Sequence, residues 1–214
     1  MQNDDLKKIL AFSHTLYGVK NILRFKGMPG WTIIPERWDS VAEHSYRRAL
    51  LAVMLAPYLE KPVQLERVLK MILVHDIVEL AAEDFSPISS HNGAGGHAFN
   101  MDAFKVKYER EAAAGKKLFA ELPESLGKEF FSLWEEYAGT KAFPENATDE
   151  GRFAYALDKI EAAMQIVDWA PMINDWSHTT KSRTYTTTWS QYDETLAKFA
   201  KLVEDEMDEK AGRI

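Results

Sequence analysis

The stretch VLKMILVHDIVELAA, residues 68–82, narrows the fold more than any other part of the chain. Its apolar residues recur at the spacing of a buried helix, yet His75, Asp76 and Glu79 interrupt it within about one turn. An unpartnered polar group in an apolar setting costs about 2–7 kcal/mol. A chain that keeps three of them there has to fold so that other elements bring partners to them.

The rest of the chain supplies helices for that purpose. Leu6, Ile9, Leu10, Leu16, Val19 and Leu23 recur at spacings of three and four, which predicts a helix over 5–24. Residues 26–39 hold Gly27, Pro29, Gly30 and Pro35 and read as a loop. Ser40 and Glu43 form a capping-box pattern for a second helix reaching about Pro57, and a third covers about 63–82. A Gly/Ser/His-rich loop, DFSPISSHNGAGGHA, spans 84–98 and has the length of a lid or binding loop. Helices follow at about 101–121 and, after Leu122-Pro123, to about 138. The segment GTKAFPENATDEG reads as loop, after which Thr148 or Asp149 caps a long helix ended by Pro171. Residues 172–188 read as polar and irregular, with the β-prone TYTTTW left as loop. An amphipathic helix over about 189–211 closes the chain. No strand-like alternation persists and no period of 20–50 residues recurs, so the expected fold is all-α, a single helical bundle over 1–214.

Composition then excludes whole classes of function. There are 26 basic and 33 acidic side chains, a formal charge of −7, which argues against binding nucleic acid. The chain has no cysteine, so thiolate metal sites, disulfides and cysteine nucleophiles are ruled out. The N-terminus MQNDDLKKILAF lacks the apolar core of a signal peptide. The longest apolar run, ALLAVMLAPYL, falls short of the roughly 20 residues a membrane span needs. The expectation is a cytoplasmic protein without membrane segments.

The inward stripes carry the chemistry. Val41, His44, Arg48, Leu51 and Leu55 share one face of the second helix. Val68, Ile72, His75 and Glu79 share a face of the third, with Leu69, Leu73, Asp76 and Leu80 beside it. On the long sixth helix, Ala154, Asp158, Glu161 and Gln165 line a face next to Leu157, Ile160, Met164 and Val167. Three helices thus direct His44, His75-Asp76 and Asp158 at a common interior. Two imidazoles and two carboxylates suit a divalent metal, with Mn, Co, Fe, Ni, Zn and Mg all compatible with N/O donors. Four protein ligands on an octahedral ion leave two positions for water or substrate. Paired Glu-x-x-His motifs, as a di-iron bundle needs, are absent.

With SVAEHS at 40–45, LVHDIVEL at 73–80 and ALDKIEA at 156–162, the chain resembles the HD-domain metal-dependent phosphohydrolases. It is most similar to the branch of bacterial 5′-deoxyribonucleotidases and the HD-domain-containing 5′-nucleotidases, over about residues 16–170. The resemblance implies that His44, His75, Asp76 and Asp158 bind the metal. It implies a catalytic role or a second cation for Glu79 and Asp84. Arg24 then orients the substrate phosphate, with Phe25, Phe85 and Ser86 beside the substrate. Phe25 stands where the bacterial branch has Trp. Glu83 replaces the usual Gly before Asp84, and SSHNGAGGHAFNMDA replaces a more Lys-containing stretch, so base recognition differs from the branch.

The implied reaction is hydrolysis of a (deoxy)nucleoside 5′-monophosphate to nucleoside and phosphate. Blander roles stand beside these. Arg24 can cap the first helix, Glu79 can pair with Arg48 or a lysine, and Asp84 can cap a turn before Pro87. His91 and His97 are read as solvated, and the tryptophans as packing, with Trp31 and Trp38 the nearest to the phosphate position. The rival readings are an HD phosphodiesterase or nucleoside-triphosphate hydrolase, and a non-catalytic metal-binding helical module. The branch tends to form homodimers, for which the final helix offers an interface, although its apolar face can equally cover the core.

Overall fold

Ser40 starts the second helix as its neighbours dictate. Its side chain accepts from the backbone N–H of Glu43, and the Glu43 carboxylate accepts from the Ser40 N–H at 3.0 Å. A computed structural model of the chain describes residues 3–26, 33, 35–82, 100–176 and 179–214, with side chains of 179–182 excepted. The principal helices among them are α1 (Asn3–Leu16), α2 (Val41–Leu55), α3 (Leu65–Val74), α4 (Glu79–Ala82) and α5 (Met101–Phe119). They continue with α6 (Glu124–Ala142), α7 (Asp149–Asp168), α8 (Thr179–Ser190) and α9 (Glu194–Lys210). No strand occurs among the described residues, and the all-α expectation holds. Within the same residues, no helix is long and apolar enough to cross a membrane.

The long helix α7 runs through the middle, with α2, α3, α6, α8 and α9 all packed on it. Its sequence permits this on every side. Ala154, Ala156 and Ala163 let neighbouring backbones approach, while Phe153, Leu157 and Ile160 are wholly buried. Trp134 of α6, Phe119 of α5 and Met71 and Ile72 of α3 complete the core around it. Each such side chain contributes about 1.5–3 kcal/mol by leaving water. Thr148 caps α7 by accepting from the Gly151 N–H at 3.0 Å, as expected. The apolar face of α9, formed by Leu196, Ala200, Val203 and Met207, is buried in the same core, so that face is not available as a dimer interface.

Several boundaries depart from expectation. The first helix ends at Leu16 and continues only as a 3-10 turn, Tyr17–Asn21. The helix expected over 63–82 is α-helical to Val74, tightens into a 3-10 turn at His75–Val78, and resumes as α4. Leu73, still within α3, lies 56% exposed, outside the stripe in which its spacing placed it. α6 runs on to Ala142, through residues read as loop.

The segment 172–188 holds most of α8, and the helix is interrupted between Ser190 and Glu194, so the helix expected over 189–211 belongs to two elements. Threonine-rich sequence has modest helix propensity, and packing overrides it here. Thr186 is buried against α7, and its hydroxyl donates to the Lys159 carbonyl at 3.2 Å.

Between α1 and α2, an isolated antiparallel bridge pairs Leu23 with Ser40. The Arg24 N–H donates to the Asp39 carbonyl at 2.8 Å, and the Val41 N–H to the Ile22 carbonyl at 3.0 Å. Arg24 is thereby fixed beside the first turn of α2.

Candidate metal centre

His44 sits one turn into α2 and is 1% exposed. Its Nδ1 contacts the Glu161 carboxylate of α7, and its Nε2 lies 2.9 Å from Asp158 Oδ1 and 3.8 Å from Asp76 Oδ2. His75 is also buried, with its ring 4.4 Å from that of Tyr137. Its Nδ1 lies 2.8 Å from the Ile72 carbonyl. A carbonyl only accepts, so Nδ1 carries the proton, and the lone pair on Nε2 faces Asp76 Oδ1 at 2.8 Å. Donor atoms of His44, His75 and Asp158 all lie within 4.8 Å of one another. Ligand atoms that share one ion at about 2.1 Å stand roughly 3–4 Å apart, which this spacing approaches.

The donor set fits a cation on a second count. A neutral imidazole has one N–H, yet both nitrogens of His44 face carboxylate oxygens. The lone pair of His75 also faces a carboxylate, with Arg48 Nη1 against the same nitrogen. Acceptor opposed to acceptor at such distances is repulsive unless positive charge lies between, and Arg48 supplies part of that charge. The outward Nδ1 contacts of both histidines, to Glu161 and to the Ile72 carbonyl, are the supports that orient metal-binding imidazoles.

The electrostatics agree with a site of concentrated charge. Burial pushes His75 down to about 4, and Arg48 adds to the shift. Asp158 lies well below the usual carboxylate range; burial opposes this, and Lys159, Arg48 and His44 outweigh it. Asp76 is lowered as well, its burial outweighed by His75 and His44. Glu161 is held at about 2, its burial offset by His44 and Arg24.

Arg24 reaches the rim of this cage. Its Nη1 donates to Glu161 Oε2 at 3.0 Å and Asp39 Oδ2 at 3.5 Å. The other N–H groups of its fork are engaged by none of the described residues. The next residue, Phe25, holds a positive φ of 61°, uncommon for a bulky side chain and a strain of about 1–3 kcal/mol. Its ring meets Trp169 edge-on at 6.0 Å, and Trp38 meets the same tryptophan at 5.5 Å. Glu79 opens α4, half-buried, directly after the His75–Val78 turn. Asp84, Phe85 and Ser86 lie outside the described residues, as do Glu83, His91, His97 and Trp31.

Three participants escape a reading of the sequence. Glu161, 1% exposed, both supports His44 and anchors Arg24. A carboxylate one turn beyond Asp158 on an inward face was the available signal. Lys159 contacts Asp158 Oδ2. Arg48 is fully buried, with Nη1 against His75 Nε2 and 3.4 Å from His44 Nε2.

Comparison with known proteins identifies the family. The sequence profile of the HD domain matches residues 20–198. The chain is 30% identical to 5′-deoxynucleotidase HDDC2 of Mus musculus over 163 residues, 73% of this chain and 72% of the relative. The Homo sapiens protein of that name is 30% identical over 159 residues, 70% of this chain and 68% of its own. The crystal structure of a predicted metal-dependent phosphohydrolase from Magnetospirillum magnetotacticum superposes with a TM-score of 0.70 at 27% identity, covering 98% of this chain and 95% of that one. With the profile matching most of its length and relatives at 30% identity over more than two thirds of it, the chain belongs to the HD domain family.

Proposed function

We propose that this chain is a metal-dependent phosphohydrolase that removes the 5′-phosphate from (deoxy)nucleoside 5′-monophosphates, in a single domain and in the cytoplasm. The observation that carries the reading is the convergence of both Nε2 atoms on Asp76 and Asp158, beside an arginine at the rim. The similarity to proteins named 5′-deoxynucleotidase supplies the substrate class.

A divalent ion held by His44, His75, Asp76 and Asp158 supplies Lewis acidity toward a phosphoryl oxygen and a more acidic water. The remaining work falls to the chain's own side chains. Arg24 grips the phosphate with the free side of its fork, a task suited to a planar guanidinium. Glu161 fixes both that arginine and the His44 ring. Glu79, one turn beyond the doublet, takes the proton from the attacking water or returns one to the leaving O5′. Sugar contacts by Asp84, and substrate contacts by Phe25, Phe85 and Ser86, rest on the resemblance.

The deciding experiment is phosphate release from nucleoside mono-, di-, tri- and cyclic phosphates with added Co²⁺ or Mn²⁺. Turnover confined to 5′-monophosphates supports the proposal. Preference for cyclic or triphosphate substrates favours the phosphodiesterase or triphosphatase reading, and no release with no bound metal favours a binding module. Within this scheme Arg24→Ala raises KM for monophosphates by roughly tenfold to a hundredfold, the range for a lost hydrogen bond to a charged group. Steady-state kinetics reads it directly, and an unchanged KM and kcat move the phosphate site elsewhere.

A further inference from the structure

Arg48 has no role in the ligand set, yet it lies within it. Its guanidinium is 0% exposed. Nη1 contacts His75 Nε2, lies 3.4 Å from His44 Nε2 and stands 3.7 Å from Asp158 Oδ1. One cationic nitrogen therefore neighbours three of the four groups that converge on the cage. Nη2 donates to the Ala154 carbonyl of α7 at 2.8 Å, and the guanidinium lies 5.4 Å from the centre of the Tyr137 ring. The head group is thus tethered on the core side, and its Nε is buried without a hydrogen-bond partner among the described residues. Such burial of an arginine is tolerated where carboxylates offset its charge. Asp158 and Asp76, the two acidic ligands, are what offsets it.

From this placement we infer that Arg48 is a built-in counter-cation of the metal centre, which lowers the affinity of the cage for its divalent ion. The inference rests on the reading of the cage as a metal site. Two effects act in the same direction. The guanidinium neutralises part of the negative charge that attracts the ion, so the metal-free cage is already partly compensated. Its Nη1 stands against the His75 lone pair, so the ion has to displace that contact, and the tether to Ala154 keeps the guanidinium close enough to repel the ion through an interior that screens poorly. Both effects make the ion exchangeable, so that the loaded fraction of enzyme follows the ambient metal concentration.

Calorimetric titration of the chelator-treated full chain with Mn²⁺, alongside thermal melting, tests this. Arg48→Met removes the charge and keeps most of the length, whereas Arg48→Lys keeps the charge. The Met variant is expected to bind Mn²⁺ about tenfold tighter or more, since like charges at this range interact strongly. It should also melt lower than the parent without metal and gain more from Mn²⁺ than the parent does. The Lys variant should stay near the parental affinity. If Arg48→Met does not fold, Arg48→Gln, which keeps a donor for the Ala154 carbonyl, carries the same comparison. Equal or weaker Mn²⁺ binding by the folded neutral variant overturns the counter-cation role while the metal centre stands. Absence of Mn²⁺ binding by the parent and all variants overturns the metal-centre reading, and this inference with it.

Discussion

Replacing His75 and Asp76 together with alanine is expected to abolish phosphate release, by about three decades or more. Lewis-acid and bound-water chemistry contribute several kcal/mol to such reactions, and each 1.4 kcal/mol is about a factor of ten. The pair supplies two of the four groups in the cage, through His75 Nε2 and the carboxylate that faces both histidines. Removing both avoids an uncompensated buried carboxylate, which a single His75 change would leave beside the other acids. The variant should retain its helical circular-dichroism signal, because Met71, Ile72, Ile77 and Val78 still anchor this part of the chain in the core. Metal content by mass spectrometry should fall to background in parallel. A folded, fully active double variant sinks the metal mechanism.

Glu161→Gln should produce the second-largest effect. The substitution keeps the volume of a side chain that is 1% exposed and removes its charge. His44 loses the anionic partner of its Nδ1, and Arg24 loses the partner at 3.0 Å that holds it at the rim. Changes to such supporting carboxylates cost about 10–100-fold in metal affinity or activity. The expected signature is divided, with weaker Mn²⁺ binding through His44 and a higher KM through Arg24. Saturating Mn²⁺ should restore kcat and leave KM raised. An unaltered Mn²⁺ affinity means that Glu161 does not position His44.

Helical periodicity and caps read well from this sequence because they are local. The Ser40–Glu43 box and the Thr148 cap each need only a few neighbouring residues to be correct. The position of His44 in an inward stripe was equally legible, since its companions Val41 and Leu51 are apolar and both are buried. What escaped depends on partners far along the chain. α8 is helical although rich in threonine because α7 and α9 receive it. The 3-10 tightening at His75–Val78 turns successive side chains by about 120° rather than 100°, which separates His75 from Asp76 differently than a plain helix does. Glu161 and Arg48 stood on recognised faces, but only the approach of α2 to α7 makes one a support for His44 and the other a neighbour of the cage. The left-handed conformation of Phe25 has no sequence signal, because that region is populated mainly by Gly and Asn.

The bridge between Leu23 and Ser40 works as a clasp on the segment that joins them. Its two backbone hydrogen bonds hold Arg24 to Asp39 and Ile22 to Val41, on either side of whatever the intervening residues do. Lengthening a clasped loop is thermodynamically mild, about 0.6 kcal/mol for each doubling. A change in the length of the chain between Phe25 and Trp38 therefore leaves the spacing of the arginine and the first histidine to these two bonds. Two backbone hydrogen bonds thus set where the rim arginine stands relative to the first histidine, independently of the packing of the helices beneath.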